Sequence, residues 1–220
     1  MILTKSESLF ADLCAERKVP CDRIEEGISR IADYEVTLDR LLVYVEVKQL
    51  DPNESDRKAK EKMRAGYVAG TVAPTRRVRD QIAKAYNQLK TYCRRGHPCL
   101  VVLFNNAGIL SHIDSFTVTS AMFGRFGFRL ALDSSQAISV SGHGFLGGRK
   151  LTRNTCRGIS AVCVLESSGS EGLRLTAYHN PYATNPVEPT VLSLLATSQL
   201  RHDDPHTGHF VSLLPHVVGV

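Results

Sequence analysis

The most constraining stretch of the chain is ADYEVTLDRLLVYVEVKQL, residues 32–50. It reads as two strands joined by a tight turn. Tyr34-Glu35-Val36-Thr37-Leu38 alternates apolar and polar residues. Leu42-Val43-Tyr44-Val45-Glu46-Val47-Lys48 is rich in β-branched and aromatic residues, as strands are. Asp39-Arg40 supplies the turn. Side chains two apart on a strand point the same way. Tyr44, Glu46 and Lys48 therefore share one face, and Val43, Val45 and Val47 pack on the other. Asp33 shares a face with Glu35 and Thr37. Neighbouring strands so arranged bring Asp33, Glu46 and Lys48 together at one end of a sheet. Two carboxylates and an ammonium are the groups needed to hold a hard divalent cation and a water molecule.

Helices and one buried strand flank this pair. Residues 4–17 form an amphipathic helix capped by Thr4 or Ser6, with Leu9, Phe10, Leu13 and Cys14 facing the core. Residues 21–26 suit a short strand, with a turn at Gly27. Residues 54–66 are helical but charged on every face, and 51–75 reads as an insertion that is mobile without substrate. Its Arg57, Lys58, Lys60, Lys62 and Arg64 suit either phosphate neutralisation or intrahelical ion pairs. Residues 75–92 make the clearest helix, with Val78, Ile82, Ala85, Tyr86 and Leu89 as its core stripe and Arg76 and Arg77 on other faces as candidate nucleic-acid-binding residues. Residues 98–104 are almost continuously apolar, the pattern of a strand buried on both faces.

Asp33 followed by Glu46-Val47-Lys48 resembles the PD-(D/E)xK nuclease superfamily, with Ala32 where that family usually has proline. The order helix, three strands, helix, strand over residues 4–106 also resembles its core. The resemblance implies a restriction-endonuclease-like α/β (α+β) fold: a mixed central sheet flanked by helices. It implies that Asp33, Glu46 and the Val47 carbonyl bind Mg²⁺, with Mn²⁺ as a substitute, and that Lys48 positions or stabilises an attacking water. Glu7 matches a first-helix glutamate that touches the metal in many of these nucleases. The bland alternative is an acid favoured by the helix dipole. Gln88-x-x-x-Tyr92 is similar to the Q-x-x-x-Y motif of RecB-type members, whose residues line the nucleic-acid groove.

Beyond residue 106 the resemblance guides less. Residues 111–123 are helical or irregular, and 130–140 suggest a strand. The glycine-rich, basic stretch SGHGFLGGRKLTRN, residues 141–154, lacks the ending of a phosphate loop. It reads as a flexible loop between strands, with Arg149, Lys150 and Arg153 available to a nucleic-acid backbone. Residues 159–166 and 173–178 read as two late strands extending the sheet, and 191–200 as a short helix. His202, His206, His209 and His216 fall in a proline- and glycine-broken segment read as a surface tail.

With 220 residues the chain is expected to form a single domain: a nuclease-like core over 1–106, a β-rich extension over 107–185, and a helix and tail over 186–220. The six cysteines form no CxxC pair and read as buried, reduced thiols, which fits a cytoplasmic protein. No apolar run approaches the roughly 20 residues that span a bilayer, so no membrane partner is expected. A net charge of +5 permits nucleic-acid binding. The expected activity is metal-dependent hydrolysis of phosphodiesters in DNA. The alternative is a non-catalytic nucleic-acid-binding or assembly module on the same fold. A homodimer is compatible with either, since cutting two strands needs two sites or two visits.

Overall fold

The computed structural model describes residues 3–25, 31–67, 74–108, 111–132, 136, 138–168, 172–204 and 209–213. Helix α1, Lys5–Glu16, starts in a capping box: Thr4 Oγ1 accepts from the Glu7 N–H, and Glu7 Oε2 accepts from the Thr4 N–H at 2.7 Å. Strands β1 (Cys21–Arg23), β2 (Tyr34–Leu38) and β3 (Leu41–Leu50) follow. The β2–β3 turn places Asp39 and Arg40 at φ 44° and 69°. Two consecutive positive φ values match the strand twist in a two-residue hairpin. The turn sets the register that pairs Leu38 with Leu41 and Tyr34 with Val45.

Helices α2 (Glu54–Arg64) and α3 (Thr75–Arg94) carry the chain across to β4 (Cys99–Asn105), which lies parallel to β3. The sheet has two apolar faces. On one, Phe10 and Leu13 of α1 meet Val36, Val45, Val47 and Val102. On the other, Val78, Ile82, Ala85 and Leu89 of α3 meet Tyr44, Val101 and Leu103. The alternation along β3 thus falls as its sequence dictates, with Tyr44 and Val45 on opposite sides. Continuous burial of Cys99 to Phe104 follows from helices on both faces.

After α4 (Ser115–Phe123), strands β5 (Arg125–Leu132) and β6 (Ile138–Leu146) form a separate antiparallel ribbon. Strands β7 (Ala161–Ser168) and β8 (Gly172–His179) then rejoin the main sheet, β7 parallel to β4 and β8 antiparallel to β7. The short α5 (Pro189–Leu192) leads to β9 (Ser198–Asp204) and β10 (His209–Leu213). The eight-stranded order is β1-β2-β3-β4-β7-β8-β9-β10, a mixed sheet in an α/β protein. Among the described residues no helix is long and apolar enough to cross a membrane.

Several expectations for the second half need correction. The expected strand over 130–140 is two strands, β5 and β6, on either side of residue 136. The glycine-rich stretch is half strand, because Gly142 and Gly144 pair across to Arg129 and Gly127. The register shifts between Arg129 and Leu130, beside Gly142, the kind of irregularity an interior strand glycine often marks, although in sequence these glycines read as turn signals. The helix expected over 191–200 stops at Leu192, because β9 pairs in parallel with β8, Thr176 beside Ser198. The segment read as a surface tail supplies sheet strands up to Leu213. The side chains of His202, His206, His209 and His216 lie outside the described residues, as does Gly27.

Helix α2 is largely exposed, as its charge suggests, yet it is tethered. Asp56 is buried, accepting from Arg77 at 2.9 Å and from the Ser111 hydroxyl at 2.5 Å. The same carboxylate closes a capping box with Asn53. Removing one partner of such a network leaves the others unsatisfied. Asp56→Ala is expected to cost about 2 kcal/mol in denaturant unfolding. Proteolysis at the α2 boundaries should also accelerate, and unchanged cleavage kinetics would show that α2 is held by other contacts.

Candidate active site

The site sits where β2 enters the sheet beside the carboxyl half of β3. Asp33 precedes β2, and its N–H donates to the Val45 carbonyl at 3.1 Å. Its Oδ2 accepts from the Val47 N–H at 2.7 Å. The first two carboxylates are therefore linked through backbone: Glu46 lies one residue before the group that holds Asp33. The Glu46 side chain points into the α3 side of the sheet and is fully buried. Its Oε1 accepts from Lys48 Nζ in a short ion pair. Its Oε2 is buried with no hydrogen-bond partner among the described residues. Lys48 Nζ also donates to Gln88 Oε1 at 2.9 Å, so α3 clamps the lysine from above.

The electrostatics reflect crowding of negative charge out of water. Burial, opposed mainly by the Val47 hydrogen bond, pushes the Asp33 carboxyl up to about 6. Burial, and then the charge of Asp33, pushes Glu46 up to about 8 despite Lys48. A single lysine leaves this pair under-neutralised. A buried carboxylate oxygen without a donor among the described residues, beside the half-buried Asp33 carboxylate, is a donor set suited to a hard divalent cation. Among the described residues no group of three or more His, Cys, Asp and Glu side chains is gathered as a metal cluster.

The other sequence-derived candidates divide. Glu7 is buried, but its carboxylate is taken by Thr4 and by Arg23 Nη2 at 3.3 Å. It acts on Asp33 and Glu46 through its charge, raising both. Val47 meets the site through its N–H. Gln88 joins the site directly. Tyr92, one turn further along α3, stacks on Tyr44 with ring centroids 3.9 Å apart. Arg77 is committed to Asp56, whereas Arg76 is exposed on the same helix. Arg149 and Lys150 follow β6, where Arg149 donates to the Phe145 carbonyl. Asn105 and Asn106 close a turn, Asn106 donating to Asp51 at 2.7 Å.

Arg23 was not legible as a site residue. It pairs across from Tyr34 on β1 and thereby reaches Glu7, and its charge lowers the Asp33 carboxyl. The signal for it is only its place in a strand next to the Asp33-bearing one. Comparison with known proteins finds no matching family model, no matching curated protein and no matching solved structure.

Both acids have folded pKa values above their ordinary ones, so the folded state holds their protons more tightly. The stability this contributes is complete below the unfolded values, near 4, and is lost as pH rises through about 6 for Asp33 and about 8 for Glu46. In chelator the thermal midpoint should fall across this window. Glu46→Gln should flatten the upper part of the profile, and a wild-type profile already flat there would contradict the assigned electrostatics.

Proposed function

We propose that the protein is a PD-(D/E)xK-type nuclease with a restriction-endonuclease-like core, hydrolysing phosphodiester bonds in DNA. The observation that carries this reading is Glu46: a fully buried carboxylate with one oxygen unpartnered among the described residues, beside the half-buried Asp33 carboxylate and a lysine. Structural ion pairs inside proteins satisfy their oxygens. An orphan oxygen kept next to another acid makes sense where a cation completes the set. The order α1-β1-β2-β3-α2-α3-β4, in which α2 is an extra helix before α3, with β2 antiparallel and β4 parallel to β3, supports the fold assignment.

Asp33 and Glu46 would hold Mg²⁺ or Mn²⁺, which when bound neutralises the carboxylates, polarises a phosphodiester and lowers the pKa of a water. The Val47 N–H fixes the Asp33 carboxylate so that it need not reorganise. Lys48 sets a positive charge beside the pair, where it stabilises negative charge developing on the phosphate or the attacking water. Gln88 is a positioning residue: it holds the ammonium through a hydrogen bond and is anchored in turn to the Ile31 carbonyl. Exposed Arg76 on α3 and the basic segment at Arg149 and Lys150 are available to phosphates outside the site.

The test is incubation with plasmid, linear and single-stranded DNA plus Mg²⁺ or Mn²⁺. Asp33→Ala and Lys48→Ala should each lower cleavage by about a hundredfold or more while leaving circular dichroism unchanged. Gln88→Ala should lower kcat with little change in KM. Mn²⁺ should raise the thermal midpoint of the wild type but not of Glu46→Ala. Cleavage that survives both Asp33→Ala and Lys48→Ala, in protein free of contaminating nuclease, would overturn the reading. Salt-sensitive DNA binding without cleavage or metal response would favour the non-catalytic module.

A further inference from the structure

A second concave feature lies away from the carboxylate pair. It is a cavity of about 380 Å³ between the β5–β6 ribbon and the segment that follows it. Phe123, Phe145 and Leu151 form its buried floor, the two phenyl rings tilted with centroids 5.7 Å apart. Arg129, Arg149 and Arg153 stand around it. Among the described residues no acidic side chain lines the cavity. Arg129 and Arg153 make no ion pair among the described residues. Arg149 is steadied by its hydrogen bond to the Phe145 carbonyl, which uses one of five guanidinium donors.

The position separates this cavity from the candidate active site. Residue 148 is where the rim meets α3: a Cβ on Gly148, at φ 64°, would lie 2.6 Å from Arg79 Nη1. Glycine suits that left-handed conformation, and any Cβ there would make the Arg79 guanidinium shift. Arg79 and Gln88 are nine residues apart on α3. At about 3.6 residues per turn they lie on opposite sides of the helix, about 13 Å apart along its axis. Gly148 therefore meets one side of α3 while Lys48 is held from the other, and none of Asp33, Glu46, Lys48 and Gln88 lines the cavity.

Three guanidinium groups lining one cavity, with no acidic side chain there among the described residues, repel one another, and an anion relieves that repulsion. Arginine presents planar donor forks that match phosphate oxygens. An apolar aromatic floor beside those forks, with Tyr182 also lining the cavity, offers a surface for a planar base. The volume falls within the roughly 300–1,000 Å³ usual for small-molecule sites. We propose that this cavity binds the phosphomonoester of a nucleotide, either a free nucleoside monophosphate or the phosphorylated end of a nucleic-acid strand. Arg129, Arg149 and Arg153 hold the phosphate and the aromatic floor receives the base. The site is separate from the nuclease reading and stands without it.

Titration calorimetry in chelator tests the proposal with deoxyadenosine 5′-monophosphate, deoxyadenosine and inorganic phosphate as probes. The monophosphate should bind, inorganic phosphate about tenfold more weakly, and the nucleoside not measurably. The double change Arg129→Ala and Arg153→Ala should weaken monophosphate binding by about tenfold to a hundredfold, with circular dichroism confirming the fold. Arg153→Glu, a single change at an exposed position, serves the same purpose should the double variant not fold. Oligonucleotides with a 5′-phosphate or a 5′-hydroxyl distinguish the two sources. A stronger preference for the phosphorylated strand than for the monophosphate assigns the site to strand ends, and equal or weaker binding assigns it to free nucleotides. Absence of monophosphate binding in the wild type, or unchanged affinity in a folded variant, would overturn the proposal. Lys48→Ala should lose cleavage and keep this binding, so that failure of either reading is seen separately.

Discussion

Burial of the Glu46 carboxylate inside the sheet is the constraint on which the site depends. A carboxylate at zero exposure on a central strand is costly unless something offsets its charge. Lys48, two residues on and so on the same face, offsets part of it. Gln88 offsets some of what that leaves by holding the lysine in place from α3. Asp33 works against the others, since its own charge raises the Glu46 carboxyl. A fold selected for stability alone would fill this position with an apolar residue of similar size. A buried acid held beside a half-buried one instead stores electrostatic repulsion at one point in the sheet, the arrangement expected of a group with a chemical task.

The surrounding packing makes that repulsion tolerable. The apolar faces of β3 and β4 are covered by α1 on one side and α3 on the other, so the site is built on strands packed on both faces. The β2–β3 turn fixes the register that sets Asp33 beside Val45 and Val47. A slip of one residue would turn Glu46 and Lys48 to the α1 face and break the pairing with Gln88. Arg23 and Glu7 form an outer ion pair whose charges act on Asp33 in opposite directions.

The first half of the chain was largely legible because its signals are local. Alternation along 34–38 and 42–48, the Asp39-Arg40 turn and the stripe of α3 each reflect a period or a turn chemistry carried by neighbouring residues. Threonine at position 4 and glutamate at position 7 also state the cap of α1, yet that same cap is what occupies the Glu7 carboxylate. The second half misled where long-range pairing decided the outcome. Glycines 142 and 144 became strand because β5 lay opposite, and residues 198–204 became strand because β8 offered an edge. The sulfurs of Cys93 and Cys99 come within 3.0 Å at the α3–β4 junction, a proximity that their spacing alone does not announce.

By itself the sequence determined which groups are available: two acids and a lysine on adjacent strands, on faces set by a period of two. It also determined the helix that would lie over them, through the stripe of Val78, Ile82, Ala85 and Leu89. Only the tertiary structure decided that Glu46 is wholly buried with an oxygen unpartnered among the described residues, that Gln88 rather than Tyr92 reaches Lys48, and that Arg77 serves α2. It alone gathered Arg129, Arg149 and Arg153 around one cavity. The reason is physical. Periodicity fixes the direction of a side chain, but burial, pKa and partnership depend on what the rest of the chain brings to the same place.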